Sequence, residues 1–211
     1  MKVKFEIVSG FLNSGKTSFI NAYLNTESCL GKEILIILLE EGVKAIRRDL
    51  KNIKVIYLED IDKLKELLLK EIIKKEYSRV IIEFNGTMNL SAISKVLQDI
   101  EIRKKFNFYG NYYIGDSKNL KVYLKNLGEI IIPFIQSSKL IILNNYSLLS
   151  LDNQKDLIKF IENINTTAPI LISKSLDNLE EDIKLSKYFK EGTAIAIKKI
   201  KAMIYKKEIV Q

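Results

Sequence analysis

The 211-residue chain contains no histidine, one cysteine, two prolines and nine glycines. Each scarcity removes a class of function or structure. Without histidine there is no imidazole for proton transfer near neutrality and no histidine metal ligand. With Cys29 alone there is no intramolecular disulfide, so a reducing, cytoplasmic setting is expected. So few prolines and glycines argue against long loop-rich or disordered segments. The opening Met1-Lys2-Val3-Lys4-Phe5 lacks the apolar stretch of a signal peptide. No run approaches the ~20 apolar residues of a membrane span, so no membrane partner is expected.

What is present is ordinary for a globular domain: 47% hydrophobic and 28% charged residues. The net charge of +8 could suit a polyanion, but the lysines are scattered along helical segments beside Glu and Asp. That pattern reads as a solvated face and speaks against a nucleic-acid partner.

Short β-branched and aromatic runs recur between amphipathic segments. Strands are expected over Lys4–Val8, Ile34–Leu39, Lys54–Leu58, Val80–Phe84, Phe108–Ile114, Leu140–Leu143 and Ile170–Ile172. Helices are expected over Lys16–Leu24, Ile61–Lys75, Leu90–Lys105, Asn119–Leu127, Asp152–Ile164, Leu176–Phe189 and Ala194–Lys207. The stretch Leu127–Lys139 fits either a strand or a helix entry. Alternation of this kind predicts an α/β fold: a mostly parallel sheet flanked by helices on both faces.

The most specific feature is Gly10-Phe11-Leu12-Asn13-Ser14-Gly15-Lys16-Thr17, which matches G-x-x-x-x-G-K-[ST] between the first strand and the first helix. Gly10 and Gly15 permit backbone conformations and close approaches that a Cβ would block. The amides from about Asn13 to Thr17, with Ser14, and the helix start through Ser18, form a nest for a polyphosphate. Lys16 is expected to reach the β- and γ-phosphates, and the Thr17 hydroxyl to ligate Mg²⁺. A second element, Val80-Ile81-Ile82-Glu83-Phe84-Asn85-Gly86, ends an apolar strand in a carboxylate. Glu83 is a candidate Mg²⁺ holder and Gly86 a candidate γ-phosphate amide. A third, Leu39-Glu40-Glu41-Gly42, follows the second strand. There a glutamate such as Glu40 could orient the metal or an attacking water, or be a solvated loop residue.

Residues Val8–Thr17 resemble the CobW-type P-loop GTPases, whose loop typically reads GFLGSGKTT and whose relatives insert nickel into urease and hydrogenase. Ile82-Glu83-Phe84-Asn85-Gly86 resembles that group's E-x-x-G. Ile36–Gly42 is similar to its N-E-F-G segment, Asp116 to its strand-ending aspartate, and Asn163–Ile170 to its N-P-x-A-P-I segment. The matches follow the family's order to about residue 172. The resemblance implies a P-loop GTPase fold and Mg²⁺ and GTP as cofactors, with ATP left open; the sequence offers no obvious strong base, so slow hydrolysis is expected. The resemblance also implies a role in metal or metal-cofactor delivery to a client protein, with a homodimer as the other partner to expect.

The chain departs from that family in three places. The guanine-reading N-K-x-D appears as Asn144-Asn145-Tyr146-Ser147. Asn144 and Asn145 remain candidate base-site residues, but Ser147 lacks the carboxylate that pairs with guanine. The family's C-x-C-C metal motif is replaced by Val55-Ile56-Tyr57-Leu58-Glu59-Asp60. The family's C-terminal domain is expected to be absent, leaving one nucleotide-binding domain over residues 1–211. Two other readings stay open: a non-hydrolysing regulatory or scaffold domain with a decayed base pocket, and a P-loop small-molecule kinase.

Overall fold

The computed structural model describes residues 2–40, 45–46, 51–84 and 86–189. Glu41, Gly42, Asn85 and the expected helix Ala194–Lys207 lie outside the described residues. Seven strands form one sheet: β1 Val3–Ser9, β2 Ile34–Leu38, β3 Ile53–Tyr57, β4 Arg79–Glu83, β5 Phe106–Asp116, β6 Ser138–Asn144 and β7 Ile170–Ile172. Their order is β3-β2-β4-β1-β5-β6-β7, and every pairing is parallel. All seven expected strands are present within one to two residues at most ends.

The inner strands read as nearly continuous apolar runs because both faces are covered. Their side chains alternate between two cores. Phe5, Ile7, Leu35, Ile37, Val80 and Ile82 point to one face. There they meet α2 (Leu64–Lys74), α3 (Leu90–Gln98), α4 (Ile100–Lys105), α5 (Ser117–Gln136) and α6 (Leu151–Ile164). Val8, Ile34, Ile36, Ile81 and Ile142 point to the other face, under α1 (Lys16–Leu24) and α7 (Leu179–Leu185). Among the described residues no helix is long and apolar enough to cross a membrane.

Four helical expectations change in detail, the first being Leu176–Phe189, which forms α7 over Leu179–Leu185 and then a separate 3₁₀ turn at Lys187–Phe189. The segment Leu90–Lys105 is two helices, because Asp99 takes an extended backbone and its carboxylate accepts the Glu101 and Ile102 amides to start α4. The helix expected to end at Leu127 bends there (φ −131°, ψ 26°) and then continues to Gln136. Leu127–Lys139 is therefore mostly helix. Pro133 withholds one backbone donor inside it, while burial of Ile131, Phe134 and Ile135 against the sheet holds the segment in place. Ile61–Lys63 forms a single 3₁₀ turn capped by Asp60, so the acidic residues there start a helix.

The strand order explains where a ligand belongs. After β1 the chain builds β2, β3 and β4 on one side, then β5, β6 and β7 on the other. The direction of growth reverses at β1, and crevices open at the carboxyl ends of strands at such a reversal. The glycine-rich loop lies there.

Candidate functional site

The loop between β1 and α1 has the backbone its sequence demands. Gly10 (φ 151°), Asn13 (φ 58°) and Gly15 (φ 98°) all have positive φ. A Cβ on Gly10 would lie 2.2 Å from the Ile114 carbonyl oxygen, so only glycine fits between the loop and β5. Gly15 is the N-cap of α1, which has neither a side-chain cap nor an acidic residue in its first turn. A helix start left bare in this way presents its amides and positive dipole end to an anion. The Ser14 hydroxyl is buried beside the loop without a partner among the described residues.

Two carboxylates meet this loop from neighbouring strands. Glu83 closes β4 and pairs in register with Val8 of β1 and Leu38 of β2. It shares the α1 face with Ile81, which brings it to Thr17. The Thr17 hydroxyl donates to the Glu83 carboxylate, 2.8 Å from Oε1 and 3.0 Å from Oε2. Glu83 is 3% exposed. Burial pushes its pKa above the ordinary value of 4.5; the Thr17 bond and the Lys16 charge oppose this, and Glu40 adds to it. Two hard oxygen donors thus stand together, one on a desolvated anion short of a cation. That donor set fits Mg²⁺.

Glu40 follows β2. Its Oε1 lies 2.5 Å from the Lys16 ammonium. Its Oε2 accepts a long hydrogen bond of 3.4 Å from the Gly86 amide. Lys16 also donates to the Phe11 carbonyl at 3.2 Å. Gly86 packs directly on the loop: a Cβ there would lie 2.4 Å from the Gly10 oxygen and 2.8 Å from the Phe11 Cα. The structure therefore brings Gly10, Ser14, Gly15, Lys16, Thr17, Glu40, Glu83 and Gly86 to one place. Ser18 lies half-buried on α1 just beyond it, and Asn13 is exposed at the loop's tip.

The other side of the loop is walled by the ends of β5 and β6. Asn144 is fully buried and its amide donates to the Ser14 carbonyl, while its Oδ1 has no partner among the described residues. Asn145 has a left-handed backbone (φ 53°) and donates to Asp116 Oδ1 at 3.0 Å. Asn119 donates to Asp116 Oδ2 at 2.7 Å. Ser147 donates to the Lys174 carbonyl at 2.9 Å. Asn144 thus fastens the loop, Asn145 is engaged with Asp116, and the Ser147 hydroxyl is engaged with the backbone.

One feature escaped sequence reasoning. Under α1, Glu6 of β1 pairs with Arg79 of β4, and both are buried. Arg79 donates to the Tyr23 hydroxyl at 2.6 Å, and the Tyr23 and Tyr112 hydroxyls each donate to Glu6 Oε1 at 3.0 Å. Burial raises both tyrosine pKa values well above ordinary, so the hydroxyls stay protonated. The available signal was a charged residue interrupting the apolar run of β1 and another opening β4. Cys29, beside this network, is buried and its thiol is pushed up to about 12, which makes it an inert core residue. Among the described residues, no three Cys, Asp or Glu side chains gather as a metal-binding group.

Comparison with known proteins agrees with this fold. Among solved structures, the Zn(II)-bound YjiA GTPase of E. coli superposes with a TM-score of 0.65 at 18% identity, covering 81% of this chain and 57% of that one. The hydrogenase maturation factor HypB of Archaeoglobus fulgidus gives 0.56 at 16% identity, covering 86% and 88%. HypB of Helicobacter pylori in complex with nickel gives 0.51 at 16% identity, covering 86% and 84%. At these identities the likeness is one of fold, and the chain spans little more than half the length of YjiA. No curated protein sequence matches it. The CobW/HypB/UreG nucleotide-binding domain, however, matches residues 4–172, so the chain belongs to the CobW/HypB/UreG family.

Proposed function

We propose that this protein is a slow, Mg²⁺-dependent nucleoside triphosphatase of the GTPase type, which delivers a metal or assembles a metal cofactor in a client protein. The observation that carries the reading is the convergence of Lys16, the Thr17–Glu83 pair and the bare start of α1 on one glycine-shaped hollow. Family membership and the zinc- and nickel-bound relatives support the metal-delivery part.

The chain's own residues divide the work. The loop amides and the α1 dipole hold the β-phosphate. Lys16 places its charge against the transferring phosphoryl group. Thr17 and Glu83 are placed to hold Mg²⁺, whose charge would offset that of the phosphate oxygens. Gly86 offers an amide to the γ-phosphate, and Glu40 is placed to orient the metal or an attacking water. Among the described residues no strong base stands at the site, so catalysis rests on positioning and electrostatics, and turnover is slow. Single-turnover rates above about 10 s⁻¹ without a partner would refute this.

A specific observation favours a second reading, a nucleotide-binding scaffold with a decayed base pocket. The Ser147 hydroxyl donates to the Lys174 carbonyl and the Asn145 amide nitrogen to Asp116, and residue 147 offers no carboxylate to a guanine ring. Equilibrium titration of GTP, ATP and their diphosphates, with and without Mg²⁺, separates the two when run beside Lys16→Ala. The first reading requires Mg²⁺-dependent triphosphate binding that Lys16→Ala weakens by about a hundredfold, together with phosphate release. The second requires binding without release.

A further inference from the structure

We infer that Glu40 is a built-in stand-in for the terminal phosphate: in the nucleotide-free protein its carboxylate holds the two donors that a γ-phosphate would take. This rests on the nucleotide reading above and concerns the regulation of that same site. The donors come from opposite walls of the hollow. Lys16 lies on α1 and meets Oε1 at 2.5 Å; the Gly86 amide follows β4 and meets Oε2 at 3.4 Å. An ammonium and a backbone amide converging on two oxygens of one anion is the arrangement expected around a phosphoryl group. The carboxylate is only 12% exposed, so it fills the mouth of the loop rather than resting on its rim. Gly86 sits close against Gly10 and Phe11, where even an added Cβ would lie 2.4 Å from the Gly10 oxygen.

A diphosphate ends at the β-position, within the loop, and can leave Glu40 in place. A triphosphate extends its γ-oxygens toward Lys16 and Gly86, where they meet a like charge. Glu40 must then leave both partners. The Glu40 contacts with Lys16 and Gly86 are thus set more strongly against triphosphate than against diphosphate binding, since only the γ-phosphate claims the Gly86 amide. Hydrolysis and phosphate loss return the carboxylate to its seat.

The test is the ratio of triphosphate to diphosphate affinity in the full-length protein, by titration calorimetry without Mg²⁺. The probes are non-hydrolysable GTP and ATP analogues with the matching diphosphates. Wild type is compared with Glu40→Gln and Glu40→Ala, both of which remove the charge, so a folding failure of one leaves the other decisive. The ratio is expected to shift toward the triphosphate by about tenfold or more in each variant. A general loosening of the loop would weaken both nucleotides together and leave the ratio alone. An unchanged or lowered ratio, with both nucleotides still bound, overturns the stand-in role and leaves the nucleotide site intact. Absence of any nucleotide binding by wild type at millimolar levels, with or without Mg²⁺, overturns the site and the stand-in role together.

Discussion

Replacing Arg79 with methionine keeps most of the side chain's volume and removes its charge from beneath α1. Glu6 is fully buried, and its Oε2 loses its cationic partner while Oε1 keeps the two tyrosine hydroxyls. Breaking a buried pair from one side costs about 3–5 kcal/mol, because an uncompensated charge remains. That is a large part of the ~5–15 kcal/mol that holds a domain folded. With a urea dependence of ~2 kcal/mol per molar, the unfolding midpoint should fall by about 2 M. Glu6→Gln strands the opposite charge and should also destabilise. The double variant Glu6→Gln, Arg79→Met leaves no orphaned ion, and the neutral glutamine can still accept from the tyrosines. The double-mutant cycle, followed by far-ultraviolet circular dichroism in urea, should therefore show a coupling of about 2 kcal/mol or more. Additivity within ~0.5 kcal/mol would refute the reasoning, as would a cost below ~1 kcal/mol for Arg79→Met.

Further outcomes follow from the site. Lys16→Ala should weaken triphosphate binding by about a hundredfold, read by equilibrium titration, since a charge-assisted contact to phosphate is lost. Thr17→Ala should remove the gain in affinity that Mg²⁺ confers while leaving Mg²⁺-free binding near that of wild type. Gly86→Ala places a methyl group 2.4 Å from the Gly10 carbonyl oxygen and should cost about 1–3 kcal/mol of stability by chemical denaturation, with reduced nucleotide affinity. Glu83 supplies a pH test. Its pKa is raised in the folded protein, so its charge destabilises the nucleotide-free state as pH climbs from the ordinary 4.5 through the raised folded value. Glu83→Gln should therefore melt at a higher temperature than wild type at neutral pH. The difference should vanish once the pH is well below the ordinary value, and a variant less stable at neutral pH would contradict the sign. Installing Asn145→Lys with Ser147→Asp should raise preference for guanine over adenine nucleotides by about tenfold or more, because a bidentate acceptor is restored. Competition binding between the two bases reads it directly.

Local patterning sufficed for a good part of the molecule. Strands buried on both faces are short apolar runs wherever they occur, so all seven were visible, and G-x-x-x-x-G-K-T between a strand and a helix carries its own geometry in the backbone freedom of Gly10 and Gly15. Pairwise meetings across distant segments were not visible in that way. Glu83 faces Thr17, and not the opposite core, because β4 lies between β1 and β2 in a register that puts it on the α1 side. Glu40 meets Lys16 and Gly86 only because strand order sets the ends of β2 and β4 beside the loop. Glu6 and Arg79 look like breaks in apolar strands until pairing brings them together under Tyr23. Periodicity records which face of its own element a residue occupies. Which other residue shares that face is decided by strand order and register, and those arise from the packing of the whole chain.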